Sequence, residues 1–209
     1  MIIKASVKIT EAFIDLLTFR VLVGKIFIVL IRMKRCPMLE KLFPDIYVKS
    51  IYEMPLEEMY KKGIRAIAFD IDNTITPYDV AEPDDKAVEF FKKLNDMGFR
   101  TCLLSNNNKE RITKYNRRLK AVAIYKAGKP GTKKLLMVLK KLGVKPENAA
   151  IVGDQVFTDV LCGNLGGLTS ILTAPVCDRD QLITAVKRGM ERQVLKIYFK
   201  KAGIKDGHC

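Results

Sequence analysis

Short apolar runs alternate with stretches of helical periodicity through most of the chain. Residues 65–69 (RAIAF) form a brief apolar run suited to a buried strand. A helix is predicted from Pro83-Asp84-Asp85, with Val88, Phe91 and Leu94 at helical spacing and Gly98 as its stop. Strand signals recur at 99–104, 121–125, 149–152 and 169–172, and helical stretches lie between them at 109–119, 133–142 and 156–162. A shorter helix, PLEEMYKKG, opens at Pro55 and closes at Gly63. Five strands alternating with helices predict an α/β fold, a doubly wound parallel sheet covered on both faces. Only one helix fits between the first and second strands, which leaves little room there for an inserted domain.

Two further segments have their own pattern. Residues 12–31 (AFIDLLTFRVLVGKIFIVLI) are long enough for a membrane span, but Asp15, Arg20 and Lys25 scatter around the helix axis. Three readings stand: a membrane-surface helix, an extension upstream of a true start at Met33 or Met38, and, ranked below these, a span. The expected organisation is an apolar and basic extension over 1–37 and one domain over 38–209. At the other end, 180–201 reads as an amphipathic helix. Ile183, Val186, Met190, Val194 and Ile197 share one face, and Lys187, Arg188, Arg192, Lys196 and Lys200 lie largely opposite.

Composition narrows the chemistry. The 209 residues carry 37 Lys+Arg against 23 Asp+Glu, a formal charge of +14. The ends, 1–37 and 179–209, each contribute +5, so the middle is close to neutral. Such ends suit contact with an anionic surface, and a peripheral place at the inner face of a membrane is expected. The single histidine, His208, lies in the tail, which argues against Ser-His-Asp, Cys-His and multi-histidine metal chemistry. Five cysteines without a Cys-x-x-Cys pair point to a reduced, cytoplasmic compartment. No nucleotide-binding glycine motif is present. Few aromatics accompany the C-terminal charges, so no nucleic acid is expected as a partner.

The polar residues that stand out all follow predicted strands: Asp70 and Asp72, Ser105, Lys129, Asp154 and Asp159. A doubly wound sheet gathers residues at the carboxyl ends of its strands along one edge. Clustered carboxylates need a cation, and oxygen ligands with a phosphate suit Mg2+. A lysine and a hydroxyl can hold phosphate oxygens. The set is equipment for phosphoryl transfer, with an aspartate as nucleophile and a second carboxylate as proton carrier. The bland alternative, a capping or turn-forming Asp, suits Asp84, Asp85 and Asp178, which are given no role. Asn106–108 read equally as a polar turn, and Gly163, Gly166 and Gly167 as backbone geometry.

Asp70-x-Asp72-Asn73-Thr74, Ser105-Asn106, Lys129-Pro130 and Gly153-Asp154-Gln155-x-x-Thr158-Asp159 together resemble the four motifs of the haloacid dehalogenase phosphatase superfamily. More narrowly, MLEKLFPDIYVKSIYEM, FDIDNTITPY, LLSNNN, YKAGKP and VGDQVFTDVLCGN are similar to the YqeG-like class III group, itself similar to mitochondrial phosphatidylglycerophosphate phosphatases. The resemblance spans about residues 38–200. It implies Asp70 as nucleophile and Asp72 as general acid and base. Ser105 and Lys129 would hold the phosphoryl group, and Asn106 would contact phosphate or orient Asp70. Lys126 competes with Lys129, which is preferred because it directly precedes Pro130. Mg2+ would sit on Asp70, the Asp72 carbonyl and Asp154, with Asp159 in support. The implied substrate is a phosphorylated one, phosphatidylglycerophosphate in particular. A water-soluble sugar phosphate or nucleotide is the first alternative, and a nucleic-acid-associated binding protein the second.

Overall fold

A computed structural model describes residues 37–177 and 182–203. The predictions for 12–31, Met33, Asp178 and His208, and for the side chains of Ile183, Val186, Lys187 and Arg188, lie outside the described residues. The chain divides into two units, Met1–Glu40 and Lys41–Cys209. The described residues of the first form a short helix, α1 (Pro37–Glu40).

The second unit is built on a six-stranded sheet, every pair parallel. In chain order the elements are β1 (Ile46–Val48), α2 (Leu56–Lys61), β2 (Ala66–Phe69), α3 (Asp85–Asp96), β3 (Arg100–Leu104), α4 (Lys109–Leu119) and β4 (Val122–Ile124). There follow α5 (Lys133–Lys141), β5 (Ala149–Gly153), a π-helical turn (Val156–Val160), α6 (Leu161–Gly166), β6 (Thr169–Thr173) and α7 (Leu182–Ala202). The strand order is β1-β6-β5-β2-β3-β4. The chain starts at one edge, crosses to β2, winds outward to β4, then returns to β5 on the other side of β2. The reversal therefore falls between β2 and β5, and a crevice opens at their carboxyl ends.

Strand alternation sends side chains to two cores. Ile67, Phe69, Leu103 and Val152 pack with Phe91 and Leu94 of α3 and Ile112 and Tyr115 of α4. Ala66, Ala68, Cys102 and Ile151 face the other way, against Leu135 and Leu139 of α5 and Cys162 of α6. The small Ala66 and Ala68 let that second layer lie close. Gly163 does the same within α6, since a Cβ there would strike the Ile151 side chain. The glycine at 163 thus serves close packing of α6 on the sheet. Burial raises the Cys102 thiol to about 12 and the Cys162 thiol to about 11, so both act as small apolar groups. Asp84 caps α3 by accepting from the Ala87 amide at 2.7 Å.

Two sequence expectations need correction. The sheet has a sixth strand, β1, paired with β6 at an edge. Its three residues are all half-buried, so no apolar-polar alternation announces it. The predicted apolar face of α7 is also turned. Val194 of that face is buried as expected, but Ile197 is 44% exposed, and Glu191 and Phe199, from outside it, are buried. Aromatic packing sets this orientation: Phe199 meets Tyr47 of β1 at 5.2 Å between ring centroids, and Tyr198 meets Phe43 at 5.7 Å. The Glu191 carboxylate accepts from the Phe157 amide at 3.2 Å. Arg192, Lys196 and Lys200 remain exposed. Among the described residues, no helix is long and apolar enough to cross a membrane.

Candidate active site

The crevice is floored by β2 and β5. Asp70 continues the β2 ladder, its amide donating to the Val152 carbonyl at 2.8 Å. Ile71 is buried in the core, and the chain then turns tightly, with the Asn73 and Thr76 amides bonded within the 71–76 loop. Driving Ile71 inward fixes both flanking carboxylates at the carboxyl edge. Across the crevice, β5 ends in Gly153-Asp154. The π turn that follows has the Asp159 amide bonded to the Gln155 carbonyl at 2.9 Å and the Val160 amide bonded to it at 3.3 Å. This turn points Asp159 back toward the strand end. A Cβ on Gly153 would collide with the Asp159 carboxylate, so glycine is needed there.

Asp70, Asp154 and Asp159 are all buried, and one carboxylate oxygen of each lies within 4.8 Å of the others. Lys129 is buried among them, its Nζ 2.5 Å from Asp70 Oδ1 and 2.6 Å from Asp159 Oδ1. Thr74 Oγ1 lies 3.3 Å from Asp154 Oδ1 and 3.5 Å from Asp70 Oδ2. Asp159 Oδ2 accepts from the Gln155 amide at 3.2 Å and from the Thr158 hydroxyl at 3.3 Å. Burial pushes the Asp70 carboxyl up to about 8; Lys129 opposes this, and Asp159 and Asp154 add to it. For Lys129 burial acts downward, but Asp159 and Asp70 outweigh it and hold the ammonium above its ordinary range.

Asp72 stands apart from this cluster. Its Oδ1 is 2.5 Å from Arg111 Nη2 and 3.1 Å from Arg111 Nε, and its Oδ2 accepts from Asn107 Nδ2 at 2.7 Å. Arg111 Nη2 also donates to the Tyr78 carbonyl at 2.6 Å. Sequence reasoning does not single out Arg111 or Asn107. The available signal is position: Asn107 follows the β3 end, and Arg111 lies in the first turn of α4.

The three asparagines after Ser105 divide their work. Asn106 accepts from the Lys129 amide at 2.9 Å and donates to the Lys129 carbonyl at 3.4 Å. It braces the lysine loop through this pair of hydrogen bonds, and it also lines the crevice. Asn107 holds Asp72. Asn108 caps α4 through the Arg111 amide at 3.0 Å. Ser105 is buried, its hydroxyl accepting from the Asn107 amide at 3.1 Å. Lys126 is exposed, whereas Lys129 lines the crevice. The crevice is a cavity of about 370 Å3 lined by Asp70, Asp72, Ser105, Asn106, Arg111 and Lys129 among others. Between Asp72 and Ser105 the only regular helix is α3.

Three buried carboxylates against one ammonium leave an excess of negative charge when all are ionised. The oxygen donors fit a divalent cation such as Mg2+, which would relieve that repulsion. A phosphoryl group entering the cavity would meet Ser105, Lys129 and the Asp70 carboxylate together.

The model of the haloacid dehalogenase-like hydrolase family matches residues 77–167. The Bacillus subtilis protein named Probable phosphatase YqeG is 34% identical over 168 residues, covering 80% of this chain and 98% of its own. The Arabidopsis thaliana Phosphatidylglycerophosphate phosphatase 1, chloroplastic/mitochondrial, is 29% identical over 174 residues, covering 76% of this chain. The match spans 48% of the plant protein, about half its length. Among solved structures, the cobalt-bound deoxy-D-mannose-octulosonate 8-phosphate phosphatase of Haemophilus influenzae has a TM-score of 0.45 at 14% identity, covering 69% of this chain and 95% of that one. A HAD phosphatase from Thermococcus onnurineus has a TM-score of 0.44 at 19% identity, covering 57% and 90%. On the strength of the Bacillus relative, which it matches nearly end to end, the chain belongs to the YqeG family of haloacid dehalogenase-like phosphatases.

Proposed function

We propose that the protein hydrolyses a phosphomonoester through an aspartyl-phosphate on Asp70, with Mg2+ as cofactor and phosphatidylglycerophosphate as substrate. The observation that carries this reading is the buried Asp70–Lys129–Asp159 chain beside Asp154, on the floor of an open polar cavity. Asp70 attacks phosphorus, and the bond to the leaving oxygen breaks as Asp72 gives that oxygen its proton. Asp72 then takes a proton from water, which attacks the same phosphorus. The bond to Asp70 breaks, releasing phosphate and restoring the carboxylate. Ser105 and Lys129 hold the phosphoryl oxygens throughout, and Asn106 keeps the Lys129 loop in place.

Asp70 and Asp154 would hold the metal with the Asp72 main-chain carbonyl, and Asp159 would support them while pairing Lys129. When bound, Mg2+ offsets the charge of the carboxylates and of the phosphoryl oxygens. The lipid assignment is supported by the plant relative's name, and by the single helix between Asp72 and Ser105, which leaves no large cap among the described residues. The exposed bases of α7 would meet an anionic membrane at its cytoplasmic face. The polar lining of the cavity favours a second reading, a small water-soluble phosphomonoester.

The test is phosphate release with Mg2+ and with a chelator, from phosphatidylglycerophosphate in mixed micelles and from water-soluble phosphomonoesters, with Asp70→Asn as control. Metal-dependent release selective for the lipid is expected. Release from the water-soluble esters alone would keep the reaction and discard the lipid. No release from folded protein would overturn the reading.

A further inference from the structure

Two cations line the cavity, and they are differently employed. The Lys129 ammonium is buried between Asp70 and Asp159 on the nucleophile's side. Arg111 stands on the wall beside Asp72, its side chain 21% exposed. Its main chain is fixed by the Asn108 cap of α4. Its contacts with Asp72 and the Tyr78 carbonyl use Nε and Nη2, and a guanidinium has a third nitrogen with further N–H groups to offer.

We propose that Arg111 selects substrates whose leaving group carries an anion of its own, such as a phosphodiester. The inference rests on the phosphatase reading above. An acid that protonates the leaving oxygen must lie against it. Arg111, bonded to that acid, then flanks the atoms just beyond the leaving oxygen. An oxyanion there meets a planar donor fork in a partly dehydrated cavity, where charge-assisted hydrogen bonds are strong. A neutral leaving group gains nothing from the fork. Phosphatidylglycerophosphate carries such an anion, because its leaving glycerol bears the phosphodiester to the lipid.

A matched pair of esters tests this. Glycerol 3-phosphate has a neutral leaving group; glycerophosphoglycerophosphate, the deacylated head group, presents the same glycerol monoester with a phosphodiester attached. The ratio of kcat/KM between the two is measured for wild type, Arg111→Gln and Arg111→Lys. Arg111→Gln should shrink the preference for the doubly charged ester by about 10- to 100-fold, mainly through KM. Arg111→Lys should recover part of it, since the charge remains. An unchanged ratio, whether both rates fall together or neither falls, would overturn the proposal and leave Arg111 as a support for Asp72. Calorimetric binding of both esters to Asp70→Asn protein with Mg2+, with and without Arg111→Gln, gives the same comparison without turnover. Loss of the binding preference on Arg111→Gln supports the proposal, and its retention contradicts it. Wild type no faster than Asp70→Asn on either ester would instead be a failure of the phosphatase reading, scored separately from the binding ratio.

Discussion

Asp70 and Asp72 are two residues apart, yet they belong to different environments. Asp70 lies in a buried, over-acidic cluster with Asp154 and Asp159, relieved by one lysine. Asp72 lies at the half-exposed wall, matched by Arg111 and Asn107. The turn after Ile71 makes the separation. On the proposed function, environment rather than residue type divides the work: the dry cluster would hold a phosphoryl group and a cation, and the wetter wall would exchange a proton with the leaving group.

The largest expected effect comes from removing the proposed nucleophile. Asp70→Asn should lower turnover by about 10^4-fold or more while folding is retained, because a buried charge leaves an over-acidic cluster. Turnover and circular dichroism on the same preparation check this. At the other wall, Asp72→Asn should lower the rate by about 10^2- to 10^4-fold, the share of a positioned proton carrier. A harmless substitution would merge the two regions and remove the proton role from Asp72.

Stability separates the regions further. Lys129→Met leaves Asp159 buried without its counter-ion and removes a donor to Asp70, and should cost about 3–5 kcal/mol in denaturant unfolding of the metal-free protein. Arg111→Gln, beside the more exposed Asp72, should cost well under half as much. Equal losses would contradict the division.

The smallest effect is the most particular to the cluster. With its folded value raised to about 8, Asp70 favours the folded state through its bound proton. That contribution is full below about 4, the ordinary carboxylate range, and is lost as pH rises through about 8. A divalent cation competes with the same proton. The rise in Tm on adding Mg2+ should therefore be larger at pH 8.5 than at pH 6. A rise independent of pH would place the cation elsewhere.

Much of this was legible in the sequence because each site residue lies in the segment that follows an apolar strand run, and a parallel sheet has one carboxyl edge. Asp70, Ser105, Lys129, Asp154 and Asp159 could be placed together on that basis alone. Arg111 could not, since a charged residue on a polar helix looks the same whether it faces solvent or a carboxylate thirty-nine positions away. The true face of α7 was hidden for a related reason. Glu191 is buried because it accepts from the Phe157 amide, and no apolar pattern encodes a buried acid. β1 was too short and too evenly half-buried to show a period.

On the proposed mechanism, phosphorus passes through Asp70. This is tested most directly by quenching the enzyme in acid during turnover of a phosphomonoester, reducing with borohydride, and mapping the modified residue by mass spectrometry. The account predicts reduction of Asp70 to homoserine, dependent on substrate and Mg2+ and absent after chelation. Steady turnover with Asp70 unmodified, or with the modification on another carboxylate, would contradict it.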